Sequence, residues 1–220
     1  MTPDYNRAAT LAALTLQRLK VTATPVLPEE LIKACRNTKL LLYKDYCELP
    51  GIKAMYPDAC SEDHPEATTI RYEVNGKTAW IVVYDPKKMR GDRYKFSLAH
   101  ELGHIVMGHR GNDEAEEREA DFFAAHLLIP RPVIAGFLER EKIPYEVNLV
   151  NLFNVSRSCL YTIQDSHEAY VSPLLNRALR EQFEPFIAEF CESMFCHEKP
   201  MPHITNRYIN TRCYMQGYQE

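Results

Sequence analysis

No apolar run in this chain approaches the ~20 residues needed to span a bilayer, so a membrane-spanning segment is not expected. There is also no excess of basic residues. The net charge is −4, which gives the chain no general attraction to nucleic acid or to an anionic membrane surface. The first twenty residues lack the basic-then-apolar order of an export leader. They are interrupted by Asp4, Asn6, Arg7, Gln17 and Arg18 and read instead as an amphipathic helix of the mature protein. The seven cysteines, Cys35, Cys47, Cys60, Cys159, Cys191, Cys196 and Cys213, are odd in number and irregular in spacing. Free thiols in a reducing cytoplasm are the expectation. There is no internal repeat and no low-complexity tract. Apolar residues make up 45% of the chain, enough for a sizeable core.

Local patterns predict a mixed α+β organisation. Leu11, Leu14 and Leu19 recur at roughly helical spacing within residues 3–20. Pro28 opens a short second helix reaching Cys35. Lys39 to Tyr46 reads as a buried strand, and Pro50 to Pro65 as a loop. Thr68 to Val74 and Lys77 to Asp85 are β-rich runs joined by Asn75-Gly76, a pair that favours the positive φ of a tight hairpin turn. One helix is expected from Arg93 to His109, ending at Gly111, and another from Glu114 to Ile129, stopped by Pro130. The remainder reads as helices at about 132–141, 146–153, 156–165 and 172–196. The division expected is a main α+β domain over 1–135, a helical region over 136–198 and a polar tail over 199–220.

The chemistry lies in His100-Glu101-Leu102-Gly103-His104, an H-E-x-x-H pattern. On a helix, positions i and i+4 share a face, so both imidazoles can converge on one metal ion. Glu101 points about a quarter-turn away, toward a water on that ion. Zinc brings the pKa of such a water to about 7. A carboxylate at hand can take its proton and pass it to a leaving amine. The pattern sits in an otherwise apolar stretch, where two histidines and a glutamate are costly to bury without a partner.

Catalytic zinc usually has three protein ligands. Glu117 and Asp121 share a face of the next helix. Glu117 is the economical third ligand, and Asp121 the acceptor that orients a ligand histidine. Glu119 lies about 200° round the helix from Glu117 and reads as a solvated residue. Glu119 and Glu116 remain the alternatives as ligand. His109, five residues past His104, reads as a cation at a helix C-terminus. His126 reads as a core histidine. One zinc ion is the expected cofactor, although the donor set also tolerates manganese.

Residues Phe96 to His104, followed by Glu117-x-Glu119-Ala120-Asp121-x-Phe123-Ala124-Ala125-x-Leu127-Leu128-Ile129-Pro130, closely resemble the ImmA/IrrE family of metallopeptidases. The resemblance implies a zincin-like fold, a small twisted sheet with a β-hairpin packed on the H-E-x-x-H helix and further helices. It implies His100, His104 and Glu117 as ligands and Glu101 as the base. It also implies a cytoplasmic endopeptidase that cleaves a helix-turn-helix transcriptional repressor and so derepresses stress or mobile-element genes. The family often has Asn where this chain has Asp121; either accepts the same hydrogen bond. The rival reading is a non-proteolytic regulator that binds a partner through the same fold.

Two further segments were weighed. Glu146 to Gln164 resembles a helix-turn-helix with Ser156 as N-cap. Between Glu139 and Asp165, however, three basic residues (Arg140, Lys142, Arg157) face four acidic ones (Glu139, Glu141, Glu146, Asp165). A docking or packing role fits this balance better than nucleic-acid binding. Cys191, Cys196, His197, His203 and Cys213 match no common zinc-finger spacing. The strand from Lys77 to Tyr84 is the candidate edge for pairing with an extended substrate.

Overall fold

The hairpin forms where Asn75 and Gly76 adopt φ of 52° and 72°, joining strand β2 (Ala67–Val74) to β3 (Lys77–Tyr84). A computed structural model describes residues 2–55, 60–89, 93–111, 113–140, 146–165 and 169–195. The sheet has three strands in the order β1-β3-β2, with β1 spanning Thr38–Leu42. β1 runs parallel to β3, and β2 runs antiparallel to it. This corrects the expected edge. β3 is paired on both sides, so its backbone is already committed. β2 has a neighbour on one side only among the described residues. The expected strand at 39–46 is also shorter than anticipated and only half-buried. It stops at Leu42, and Tyr43 opens helix α3 (Tyr43–Cys47).

The chain divides into two compact units, residues 1–3 with 27–124, and residues 4–26 with 125–220. In the first unit, strand alternation sends side chains to two faces. Leu41, Ile70, Ile81 and Val83 pack with Tyr43 and Tyr46 of α3. The opposite face receives helix α5 (Arg93–Met107): Thr69 Oγ1 donates to the Glu101 carbonyl at 3.3 Å, and the rings of Tyr84 and Tyr94 lie 6.0 Å apart. Glu66, just before β2, accepts from Arg93 Nε at 2.9 Å and from Ser97 at 3.4 Å, tying the start of α5 to the sheet. Helix α2 (Pro28–Ala34) begins at the expected proline, and a short α4 (Ile52–Met55) interrupts the expected loop. Cys47 and Cys60 are joined in a disulfide with Cα atoms 5.7 Å apart. For this pair the expectation of free thiols is corrected; Cys35, Cys159 and Cys191 keep the thiol form.

Helix α6 (Glu114–Leu128) starts on Asp113, whose carboxylate accepts from the backbone N–H of Ala115 and Glu116 at 2.9 Å each. Its continuation past Ala124 belongs to the second unit. There, helices α1 (Tyr5–Arg18), α7 (Arg131–Glu139), α8 (Glu146–Phe153), α9 (Arg157–Asp165) and α10 (Pro173–Phe195) bury Phe137, Phe153 and Phe183. In α1 the buried face is formed by Ala8, Ala9, Ala12, Ala13, Thr15 and Leu16, not by the leucine stripe of the expectation. Small alanines permit close approach, and Gln182 of α10 donates to the carbonyls of Leu16 and Val21. Ser156 Oγ accepts from the Cys159 N–H at 3.2 Å, the expected cap of α9. Among the described residues no single helix is long and apolar enough to cross a membrane. Cys196, His197, His203, Cys213 and the tail from 199 lie outside the described residues.

Candidate metal centre

α5 carries His100, Glu101 and His104 on consecutive turns, and α6 crosses it at Gly103. A Cβ on Gly103 would lie 3.1 Å from the Phe123 ring, 3.2 Å from the Ala120 Cα and 3.3 Å from its carbonyl oxygen. The bare glycine therefore lets the two helices touch. That contact sets Glu117, one turn before Ala120 in the chain, against the histidines. His100 Nε2 and His104 Nε2 are 2.9 Å apart. Glu117 Oε2 lies 3.2 Å from His100 Nε2, and Glu117 Oε1 3.6 Å from His104 Nε2. One ligand atom from each of the three falls within 4.8 Å of the others, a group that could hold a metal ion.

The donor set fits a cation on grounds of proton count. Asp121 Oδ1 is 2.8 Å from His100 Nδ1. An ionised carboxylate only accepts, so His100 Nδ1 carries the hydrogen and its Nε2 is the atom left for the metal. His104 has a pKa pushed down to about 3, first by burial and then by neighbouring His100 and His109. It is therefore neutral and keeps a lone pair. Burial works to lower the pKa of His100, but the Asp121 bond and the charges of Glu101, Asp121 and Glu117 outweigh it and raise the value. His100 Nε2, His104 Nε2 and the Glu117 carboxylate thus turn lone pairs toward one point, a set that suits a divalent ion.

Glu101 is buried, and that burial raises its pKa against the opposing hydrogen bonds of Thr69 and the charge of His100. A carboxyl shifted upward is better matched to taking and returning a proton near neutrality. The cleft over these groups has a volume of about 510 Å³ and runs along five consecutive residues of β2, Ala67 to Arg71, with Trp80 and Arg110 at its walls.

The structure brings together all five residues singled out from the sequence, His100, Glu101, His104, Glu117 and Asp121. It separates the alternatives for the third ligand. Glu116 turns away and accepts from the backbone N–H of Arg110 at 3.2 Å and of Gly111 at 3.0 Å. Glu119 is not a solvated residue. It is only 8% exposed, and its Oε2 lies 3.0 Å from His109 Nε2. His109 is equally buried, at 6% exposure, with Nδ1 2.9 Å from His104 Nδ1. Sequence reasoning missed both because it kept His109 in the helix. The available signal was Gly108. His126 is buried in the second unit, where burial, then Arg131, holds its pKa well below the usual value.

A histidine pair with a glutamate between, on a helix beneath a small mixed sheet, places the chain among the zincin-like folds of the metallopeptidases. The family model of the IrrE N-terminal-like domain matches residues 47–161, more than half of the chain, and the chain belongs to that family. No curated protein and no solved structure gives a significant match.

Proposed function

We propose that this protein is a zinc-dependent endopeptidase that cuts a protein substrate, a helix-turn-helix repressor. The observation that carries the peptidase reading is the convergence of His100, His104 and Glu117 beside the buried Glu101, in a cleft lined by Ala67 to Arg71 of β2, a strand paired on one side only among the described residues. An extended peptide adding to β2 through its backbone would run past these groups. The metal, when bound, supplies Lewis acidity toward water and toward the scissile carbonyl. Glu101 takes the proton from the attacking water and returns it to the departing amine. Asp121 holds His100 in the tautomer that leaves Nε2 available. The repressor is drawn from the family, which also gave the expectation of a cytoplasmic protein. The Cys47–Cys60 bond speaks against a reducing compartment, where such bonds are rare.

The test is incubation of the zinc-loaded protein with the repressor encoded nearest its gene, beside the Glu101→Gln variant, read by intact mass. A single metal-dependent cut that is absent with the variant supports reaction and substrate together. An uncut repressor removes that substrate. If an unfolded casein is also left intact, the binding-regulator reading replaces the peptidase.

A further inference from the structure

We infer that His109 and Glu119 act as positioning residues, a hydrogen-bonded relay that holds His104 in the tautomer able to bind metal. The inference rests on the metal reading of the centre. It begins with the backbone. Gly108 has φ of 69°, a conformation that ends α5 and that other residues adopt at a cost. Its N–H donates to the Ile105 carbonyl at 3.2 Å, and the His109 N–H donates to the His104 carbonyl at 3.0 Å. This pair of bonds is a Schellman closure. It folds residue 109 back over residue 104, so that a side chain five positions along lies against the ligand instead of beyond it.

Proton accounting then gives the direction of each bond. The Glu119 carboxylate can only accept, so His109 Nε2 donates across the 3.0 Å contact. With a single ring hydrogen, placed on Nε2, His109 presents a lone pair at Nδ1. The 2.9 Å contact to His104 Nδ1 requires one hydrogen between the two nitrogens, and it must belong to His104. His104 Nε2, on the other side of the ring, is thereby left bare and faces His100 Nε2 and Glu117. The opposite arrangement, with hydrogens on both His109 nitrogens, would place a hydrogen on His104 Nε2 and block the ligand position.

Both ligand imidazoles are therefore backed by a carboxylate, His100 directly by Asp121 and His104 by Glu119 through a second imidazole. Such partners fix ring orientation and tautomer. His109 and Glu119 are both buried, and neither is among the three groups that converge on the metal position.

The experiment measures zinc affinity by competition with a chromophoric chelator, together with the visible spectrum of the cobalt-substituted protein. It compares wild type, His109→Leu, His109→Asn and Glu119→Gln, with melting of each metal-free protein recorded alongside. His109→Leu is expected to weaken zinc binding about 10–100-fold and to alter the cobalt bands. His109→Asn puts a carbonyl oxygen near the place of Nδ1 and is expected to recover part of that loss. Glu119→Gln preserves shape and an acceptor, so a smaller loss is expected with little change in melting. Zinc affinity within twofold of wild type in both His109→Leu and Glu119→Gln overturns the relay, even if melting temperatures fall. A wild-type protein that does not bind zinc at all overturns the metal reading itself, and the relay with it.

Discussion

The two compact units bury histidine for different ends. In the first, His104 and His109 lie below the surface in the company of Glu117 and Glu119, and their ring nitrogens meet one another and those carboxylates at 2.9 to 3.6 Å. In the second, His126 is buried with Arg131 as a neighbour that disfavours its charge. Burial alone therefore does not mark a functional imidazole. Convergence of acceptor atoms that lack enough protons among them does. The same contrast divides α6. Its first turns carry Glu116, Glu117, Glu119 and Asp121, each with a defined partner, whereas Phe122 to Leu128 supplies mostly apolar core.

The contrast is broken most sharply at Glu101. Glu101→Gln is expected to lower peptide cleavage about 10²–10⁴-fold while zinc content, read by elemental analysis, stays at the wild-type level. Loss of zinc in that variant would instead make Glu101 a ligand. In the second unit Phe183 is fully buried, and Phe183→Ala is expected to cost about 3–5 kcal/mol of stability. The denaturant midpoint should fall with no change in zinc affinity of the folded protein. Gly103→Ala tests the crossing of α5 and α6. An added methyl against the Ala120 backbone is expected to cost about 1–3 kcal/mol and to weaken zinc binding as Glu117 is displaced. An unchanged zinc affinity would show that α6 adjusts without moving Glu117.

The smallest effect concerns His126. Its folded pKa lies well below the usual 6.5. Below that pH the unfolded chain takes up a proton that the folded chain refuses. The stability it contributes is thus fully present above pH 6.5 and falls as the pH drops, by at most about 1.4 kcal/mol per pH unit. His126→Leu should flatten the dependence of stability on pH between 7.5 and 5.5 relative to wild type. Parallel curves for the two proteins would mean that His126 is protonated in the folded state.

Much of the centre was legible because it is local. H-E-x-x-H and the Glu117–Asp121 pair need only helical periodicity, and the hairpin needs only Asn75-Gly76 between two β-rich runs. What escaped depends on backbone exceptions or on distant partners. Ending α5 at Gly111 instead of at Gly108 hid the turn that brings His109 to His104, and with it the burial of Glu119. β3 looked like an edge because β1, about forty residues earlier in the chain, gives no local sign of pairing with it in parallel. In α1 the leucines drew attention, whereas the buried alanines carry the close packing. The Cys47–Cys60 bond joins residues whose spacing matches no recognisable framework.

The edge that β2 leaves unpaired among the described residues bears on what could enter the cleft. A guest that pairs there must offer free N–H and C=O groups along an extended stretch. A helix or a hairpin strand in a folded protein has already engaged those groups. On the peptidase reading proposed above, the centre would select by conformation before residue type: interdomain linkers and frayed ends would be admitted and intact domains refused. On that reading, local unwinding of the target segment would be the first barrier for a folded partner, and whatever loosens that segment would act as the trigger.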